Sequence, residues 1–231
     1  MKIAAIIPSG GSSSRFGKNK LFEKINGKTV IEKTIEIFEN NPQISEIIIP
    51  ASNNSIDGIN SIIKQRSFLK SKTVNGGNSR QESVYNGLQA CRDCDYVLIH
   101  DGARALVTQL IVNNTINEVQ KRHAVVAAMP VKDTIKKADN EGKITETPNR
   151  KYLYQIQTPQ AFRFEDIKKA HELFKGENAT DDSYLIEKMG INVYIVKGCY
   201  KNIKITTPED IELASILAKR SEEHTSELQS P

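Results

Sequence analysis

This sequence predicts an α/β fold: a mostly parallel sheet flanked by helices, with a β-hairpin arm projecting from it. Three observations carry the prediction. Ile3 to Ile7 is a short, wholly apolar run of two alanines and three isoleucines, the pattern of a strand buried on both faces of a parallel sheet. From Thr29 to Val74, segments of helical period alternate with short strand-like runs, the β-α-β-α-β order that implies right-handed crossovers. After Pro130 the chain becomes polar, lysine-rich and loosely alternating, with Glu141-Gly142 at a turn, so residues 131–157 read as a hairpin leaving the sheet.

Pro8 ends the first strand because it has no N–H to give the ladder. Ser9, Gly10, Gly11 and the serines after them form a loop of small residues whose amides can approach an anion, and Arg15 and Lys20 flank it, an arrangement suited to a polyphosphate. The loop lies at the carboxyl end of the strand, where open α/β sheets bind ligands. Neither G-x-x-x-x-G-K-S/T nor G-x-G-x-x-G occurs, so this Rossmann-like sheet carries neither of the two familiar phosphate loops.

Val30, Ile31, Ile35 and Phe38 recur at helical spacing between Thr29 and Asn40. A strand over Ile44 to Pro50, a helix over Ser55 to Arg66 and a strand over Lys72 to Val74 follow. Gly76, Gly77 and Asn78 end that strand, and Ser79 with Glu82 makes a capping box for a helix carrying Val84 and Leu88. Asn78 and Ser83 are small polar groups able to read the edge of a base, or simply parts of the cap. Asp95 to His100 is the next strand, and Asp101-Gly102-Ala103-Arg104 follows at once. There Asp101 can meet a metal or a substrate hydroxyl, or pair with Arg104 in the turn. No second histidine stands at ligand spacing from His100, which reads as structural.

Leu110 to Lys121 reads as a helix, Ala124 to Met129 as a strand, Ile167 to Phe174 as a helix, and Thr180-Asp181-Asp182-Ser183 as the cap of another running to Met189. Asn192 to Val196 returns as a strand. Lys204 stands between Ile203 and Ile205 on extended chain and is expected to point away from them into a cleft. Thr207 and Pro208 then open a last helix that is expected to end near Lys219. Arg220 to Gln229 has no apolar face and, back-translated, looks like one frame of a sequencing adapter. Residues 1–219 are therefore taken as a single domain and 220–231 as a non-native tail.

At 231 residues, 38% hydrophobic and 26% charged, the chain can bury a sizeable core. No apolar run reaches the ~18 residues of a membrane span and the amino terminus carries no leader pattern, so the expected location is cytoplasmic, without membrane contact. The net charge of +4 is dispersed, which favours a small anionic substrate over nucleic acid. Cys91 and Cys94 are one pair too few for a zinc ribbon, and with Cys199 the count is odd; they read as packing residues at a helix end. A ribbon such as 131–157 is marginal alone and is expected to pack on a second copy, giving a C₂ homodimer.

Taken in order, Lys18-Asn19-Lys20-Leu21-Phe22, Gly76-Gly77 with Arg80 and Ser83, His100-Asp101-Gly102-Ala103-Arg104, Val131-Lys132-Asp133-Thr134, Gln157-Thr158-Pro159-Gln160, Thr180-Asp181-Asp182 and Asn202-Ile203-Lys204 resemble the 2-C-methyl-D-erythritol 4-phosphate cytidylyltransferases. The resemblance implies transfer of CMP from CTP to a polyol phosphate, with Arg15, Lys20, Arg150 and Lys204 catalytic. It places CTP on Pro8, Ser9, Gly10, Gly11, Gly77, Asn78, Arg80, Ser83 and Gly102. The polyol phosphate falls to Asp101, Arg104, Thr134, Thr158, Thr180 and Lys204, with Arg150 reaching across from the partner's arm. Magnesium is expected with the triphosphate, its protein contacts unassigned. Three positions depart from the family pattern: Ser13 replaces a glycine, Asn78 an aspartate and Ala105 a proline. The rival readings are a ribitol 5-phosphate cytidylyltransferase and a nucleotide-binding regulatory module without catalysis.

Overall fold

The structure, a computed structural model, describes residues 1–10, 16, 19–177 and 179–227, with side chains as far as residue 219. Its elements in chain order are β1 (Ile3–Ile6), β2 (Lys24–Ile25), β3 (Lys28–Thr29), α1 (Val30–Glu39), β4 (Glu46–Ala51), α2 (Asn53–Arg66), β5 (Ser71–Asn75), α3 (Arg80–Ala90) and β6 (Tyr96–Ile99). Then come α4 (Gln109–Arg122), β7 (Ala124–Pro130), β8 (Lys137–Ala138), β9 (Ile144–Glu146), β10 (Tyr154–Arg163), α5 (Phe164–Leu173), α6 (Asp182–Lys188), β11 (Tyr194–Lys197) and α7 (Glu209–Glu227).

The main sheet has seven strands in the order β11-β7-β10-β6-β1-β4-β5. All are parallel except β10, which runs antiparallel to both β6 and β7. Successive β1 side chains alternate between two cores, as a strand buried on both faces must. Ile3 and Ala5 join α1, α4 and α7 on one face through Ile35, Val112 and Ala214, while Ala4 and Ile6 join α3, α5 and α6 on the other through Leu88, Ile167 and Leu185. The result is a three-layer α/β/α sandwich whose ligand edge is the carboxyl end of β1 and its neighbours.

Two expectations are corrected. The arm does not extend to Gln157: its hairpin is only β8 with β9, and Tyr154 to Arg163 forms a strand inside the main sheet. Pro159 hid this strand, because proline in a sequence argues against a central position. The sheet accommodates it where the β10–β7 register shifts, between Ile156 and Gln160, so no ladder N–H is missed. The last helix also runs past Lys219 to Glu227, since residues 220–227 contain neither proline nor glycine to stop it. Within the described residues no helix is long and apolar enough to cross a membrane.

The predicted hairpin itself is present. Asp139 accepts the N–H groups of Glu141 and Lys143, and Gly142 takes φ +84°, the left-handed region that favours glycine. Every residue of β8 and β9 is exposed.

Candidate active site

Four loops meet at the ligand edge. After β1, Pro8, Ser9 and Gly10 line a cavity of about 530 Å³ together with Lys20, which the 3₁₀ turn Lys20–Phe22 carries. Asn19 caps that turn by accepting the Leu21 N–H, and its own amide is fixed on Ser55 Oγ at 2.8 Å. Gly77 and Asn78 from the loop after β5, and Ser83 from the first turn of α3, complete the same wall. Ser79 caps α3 by accepting the Glu82 N–H at 3.0 Å, whereas the Glu82 carboxylate takes the Asn78 N–H at 2.7 Å rather than that of Ser79. This shifted capping box leaves Ser83 buried, donating to Ser79 O and accepting from Gly77 N–H. Ser83 therefore shapes the loop that faces the ligand.

After β6, Gly102 is required by close approach. A Cβ there would stand 2.6 Å from Ser9 Oγ and 3.3 Å from the Pro8 carbonyl, so the two strand ends meet only without a side chain. The neighbouring Asp101 is the centre of the site. Its Oδ1 accepts from Arg80 Nε at 3.0 Å and its Oδ2 pairs with Lys204 Nζ at 2.8 Å. Its N–H donates to Thr158 Oγ1 at 3.1 Å. Burial would raise the Asp101 pKa, but the Arg80, Lys204 and Arg104 charges outweigh it and hold the carboxyl well below the usual range. Arg104, at 3.9 Å from Asp101, gives its Nη1 to the Asn202 carbonyl at 2.8 Å.

At least three hydrogen bonds dock the segment carrying Lys204. Asn202 donates to the Thr158 carbonyl at 2.9 Å, Ile205 N–H donates to Ala103 O at 2.9 Å, and the Arg104 bond is the third. Ile205 is buried and Lys204 turns outward, as the alternation predicts. Beside the first cavity lies a second of about 310 Å³, lined by Arg104, Thr158, Thr180 and Gln157 among others; Arg80, Asp101 and Lys204 border both. Pro8, Ser9, Gly10, Gly77, Asn78, Ser83 and Gly102, expected to hold nucleotide, and Arg104, Thr158 and Thr180, expected to hold the acceptor, thus line adjoining hollows with a shared ionic wall.

Lys20 and Lys204, both expected at the site, line the same cavity. Gly11, Ser13 and Arg15 lie outside the described residues. Thr134 and Arg150 are exposed on the arm and line neither cavity of the single chain; Arg150 Nη1 donates to the Lys132 carbonyl instead. His100 is fully buried, with Nδ1 on Thr158 Oγ1 and Nε2 on the Arg104 carbonyl, a structural histidine. Cys91 and Cys94 pack against the core at the end of α3; contact with Cys94, together with burial, holds the Cys91 thiol well above its ordinary value. Two participants were not singled out from sequence. Asp182 takes Arg80 from behind at 2.8 Å, and Gln157 pins the Cys199 backbone beside Asn202.

The donor set does not make a metal cage from protein alone. Within the described residues no three His, Cys, Asp or Glu side chains gather, and Asp101 is already held by cations. A magnesium ion in this site would have to draw most of its ligands from the triphosphate.

A mostly parallel sheet with a lysine-lined double cavity at its carboxyl edge suits a nucleotidyltransferase, which must hold two phosphorylated substrates side by side. The model of the family "2-C-methyl-D-erythritol 4-phosphate cytidylyltransferase" (IspD) matches residues 3–220, and the chain belongs to that family. It is 43% identical over 223 residues to the enzyme of that name from Clostridium perfringens, covering 94% of this chain and 99% of that one. The Caldanaerobacter subterraneus enzyme is likewise 43% identical, over 95% and 100%. Among solved structures, the 4-diphosphocytidyl-2C-methyl-D-erythritol synthase of Anaerococcus prevotii superposes with a TM-score of 0.85 at 35% identity, covering 94% and 96%. The Thermus thermophilus enzyme gives 0.78 at 29% identity, over 95% and 100%.

Proposed function

We propose that this chain transfers CMP from CTP to 2-C-methyl-D-erythritol 4-phosphate and releases pyrophosphate. The observation that carries the reading is the pair of adjoining cavities joined at Arg80, Asp101 and Lys204, in a chain of this family. A phosphate oxygen of the acceptor attacks the α-phosphorus of CTP; the new P–O bond forms as the bond to the β-phosphate oxygen breaks, and pyrophosphate leaves. Both reactants are polyanions, so neutralisation and alignment supply the rate. The acceptor phosphate is already ionised near neutral pH and needs no general base.

In this reading Lys20 and Arg15 offset charge on the α-phosphate and the leaving group, and Lys204 holds the attacking phosphate. Magnesium bound to the triphosphate would reduce the charge that Lys20 and Arg15 have to offset. Gly77, Asn78 and Ser83 surround the cytosine. Thr134 and Arg150 come from a partner's arm, so the working unit is a homodimer. The uncovered apolar side chains Ile135, Ile144 and Tyr152 on or beside the arm support that pairing.

The test is pyrophosphate release from CTP and magnesium with 2-C-methyl-D-erythritol 4-phosphate or ribitol 5-phosphate as acceptor. Turnover should be selective for the first. Preference for ribitol 5-phosphate, or CTP binding without turnover, would overturn the assignment.

A further inference from the structure

We infer that Asp182 and His171, which line neither cavity, form a buried bracket that positions Arg80, and through Arg80 the shared wall of Asp101 and Lys204. The inference rests on the proposed reaction for its kinetic arm only.

Arg80 opens α3 and is gripped from two directions, by Asp101 at Nε, 3.0 Å, and by Asp182 at Nη1, 2.8 Å. Two carboxylates on separate nitrogens, Asp101 by a hydrogen bond and Asp182 by an ion pair, restrict the place of a guanidinium more than a single partner would. Asp182 is in turn held by His171, whose Nε2 lies 3.2 Å from Asp182 Oδ1. Both side chains are shut from solvent, at 2% and 0% exposure. The run Lys204, Asp101, Arg80, Asp182, His171 therefore leads from the mouth of the site through the wall into the core between α5 and α6.

A purely structural account of this bracket is poor. Burying a carboxylate against a histidine contributes less than an apolar pair of the same shape would. His171 Nδ1 is also buried with no hydrogen-bond partner within the described residues. The arrangement makes sense if the requirement is for Arg80 to stand in one place while charged substrates enter and leave on either side. Tyr85, stacked on His171 with centroids 6.4 Å apart, holds the ring from the α3 side.

The experiment is a double-mutant cycle joined to an NMR measurement on the full chain. Asp182→Asn keeps the shape and removes the charge; it should lower kcat/KM for CTP by roughly ten- to a hundredfold and also lower the thermal midpoint, because it breaks a buried ion pair. In an Arg80→Ala background it should have no further effect, because it acts through Arg80. Independently of turnover, the Arg80 Nε–H resonance should be resolved and slow to exchange in the wild type and exchange at least about tenfold faster in Asp182→Asn. Should Asp182→Asn fail to fold, His171→Leu is expected to move the same resonance in the same direction, with His171→Gln restoring it. An equal loss of kcat/KM in both backgrounds, or an Arg80 signal indifferent to these substitutions, overturns the proposal. A wild type inactive with either acceptor would overturn the proposed reaction instead, leaving the exchange measurement to decide the bracket.

Discussion

Lys204 and Arg150 are both assigned to the attacking phosphate, yet they stand in opposite physical situations. Lys204 sits 2.8 Å from Asp101 on a segment tied down by Asn202, Ile205 and Arg104, so a single chain places it without help. Arg150 lies beside an exposed two-stranded hairpin, and its guanidinium rests on a carbonyl of its own arm. The first belongs to a wall with more bonds than it needs; the second belongs to an element that cannot hold its shape or reach a cavity alone. Cations of the body should thus act within one chain and cations of the arm only in an assembly.

The strongest test of that division removes a cation of the body. Lys20→Ala should lower kcat by ~10²–10³, about the 2.7–4 kcal/mol of losing one preorganised donor, while denaturant unfolding stays close to wild type. Turnover near the wild-type rate would remove Lys20 from the chemistry. A smaller but more specific effect concerns the arm. Arg150→Ala and Lys20→Ala, each inactive alone, should regain about a quarter of wild-type activity when mixed and allowed to exchange subunits, because one site of each mixed C₂ dimer is then intact. No recovery after exchange is verified by mass would mean that Arg150 serves its own chain or none.

The division also governs what the sequence made legible. Strands and helices packed on one another declared themselves through periodicity, and Lys204 through its place between two isoleucines, one of them fully buried. Lys20 was legible as a cation flanking the first loop, and Gly76 and Gly77 as two glycines that end a strand. β10 was not, because Pro159 breaks the pattern that a strand flanked on both sides should show, and only the register shift in the folded sheet reveals how it fits. Asp182 was quoted within a capping stretch, but its worth depends on Arg80, about a hundred residues earlier, and no local pattern carries a pairing of that range. The roles of Thr134 and Arg150 came from resemblance alone, and the single chain places neither in a cavity.

The mildest perturbation is acid, and it too should separate the two regions. His100 lies inside the wall, bonded to Thr158 and to the Arg104 carbonyl, and burial pushes its pKa down from 6.5 to about 4. Between those values the unfolded chain takes up a proton that the native chain refuses, so stability rises with pH across this window and falls on acidification. The loss reaches ~3 kcal/mol by about pH 4. Asp101, held low by its three cations, adds its own loss only below the ordinary carboxylate range, because its stabilisation persists until pH drops beneath the unfolded value. The charged side chains of the arm, by contrast, are exposed. Urea unfolding of the wild type and His100→Gln from pH 7 to pH 4 measures this: the variant should be less stable at pH 7 and show a flatter dependence, the two curves closing as the pH falls. Parallel curves would mean that His100 is not the group that makes the wall acid-sensitive.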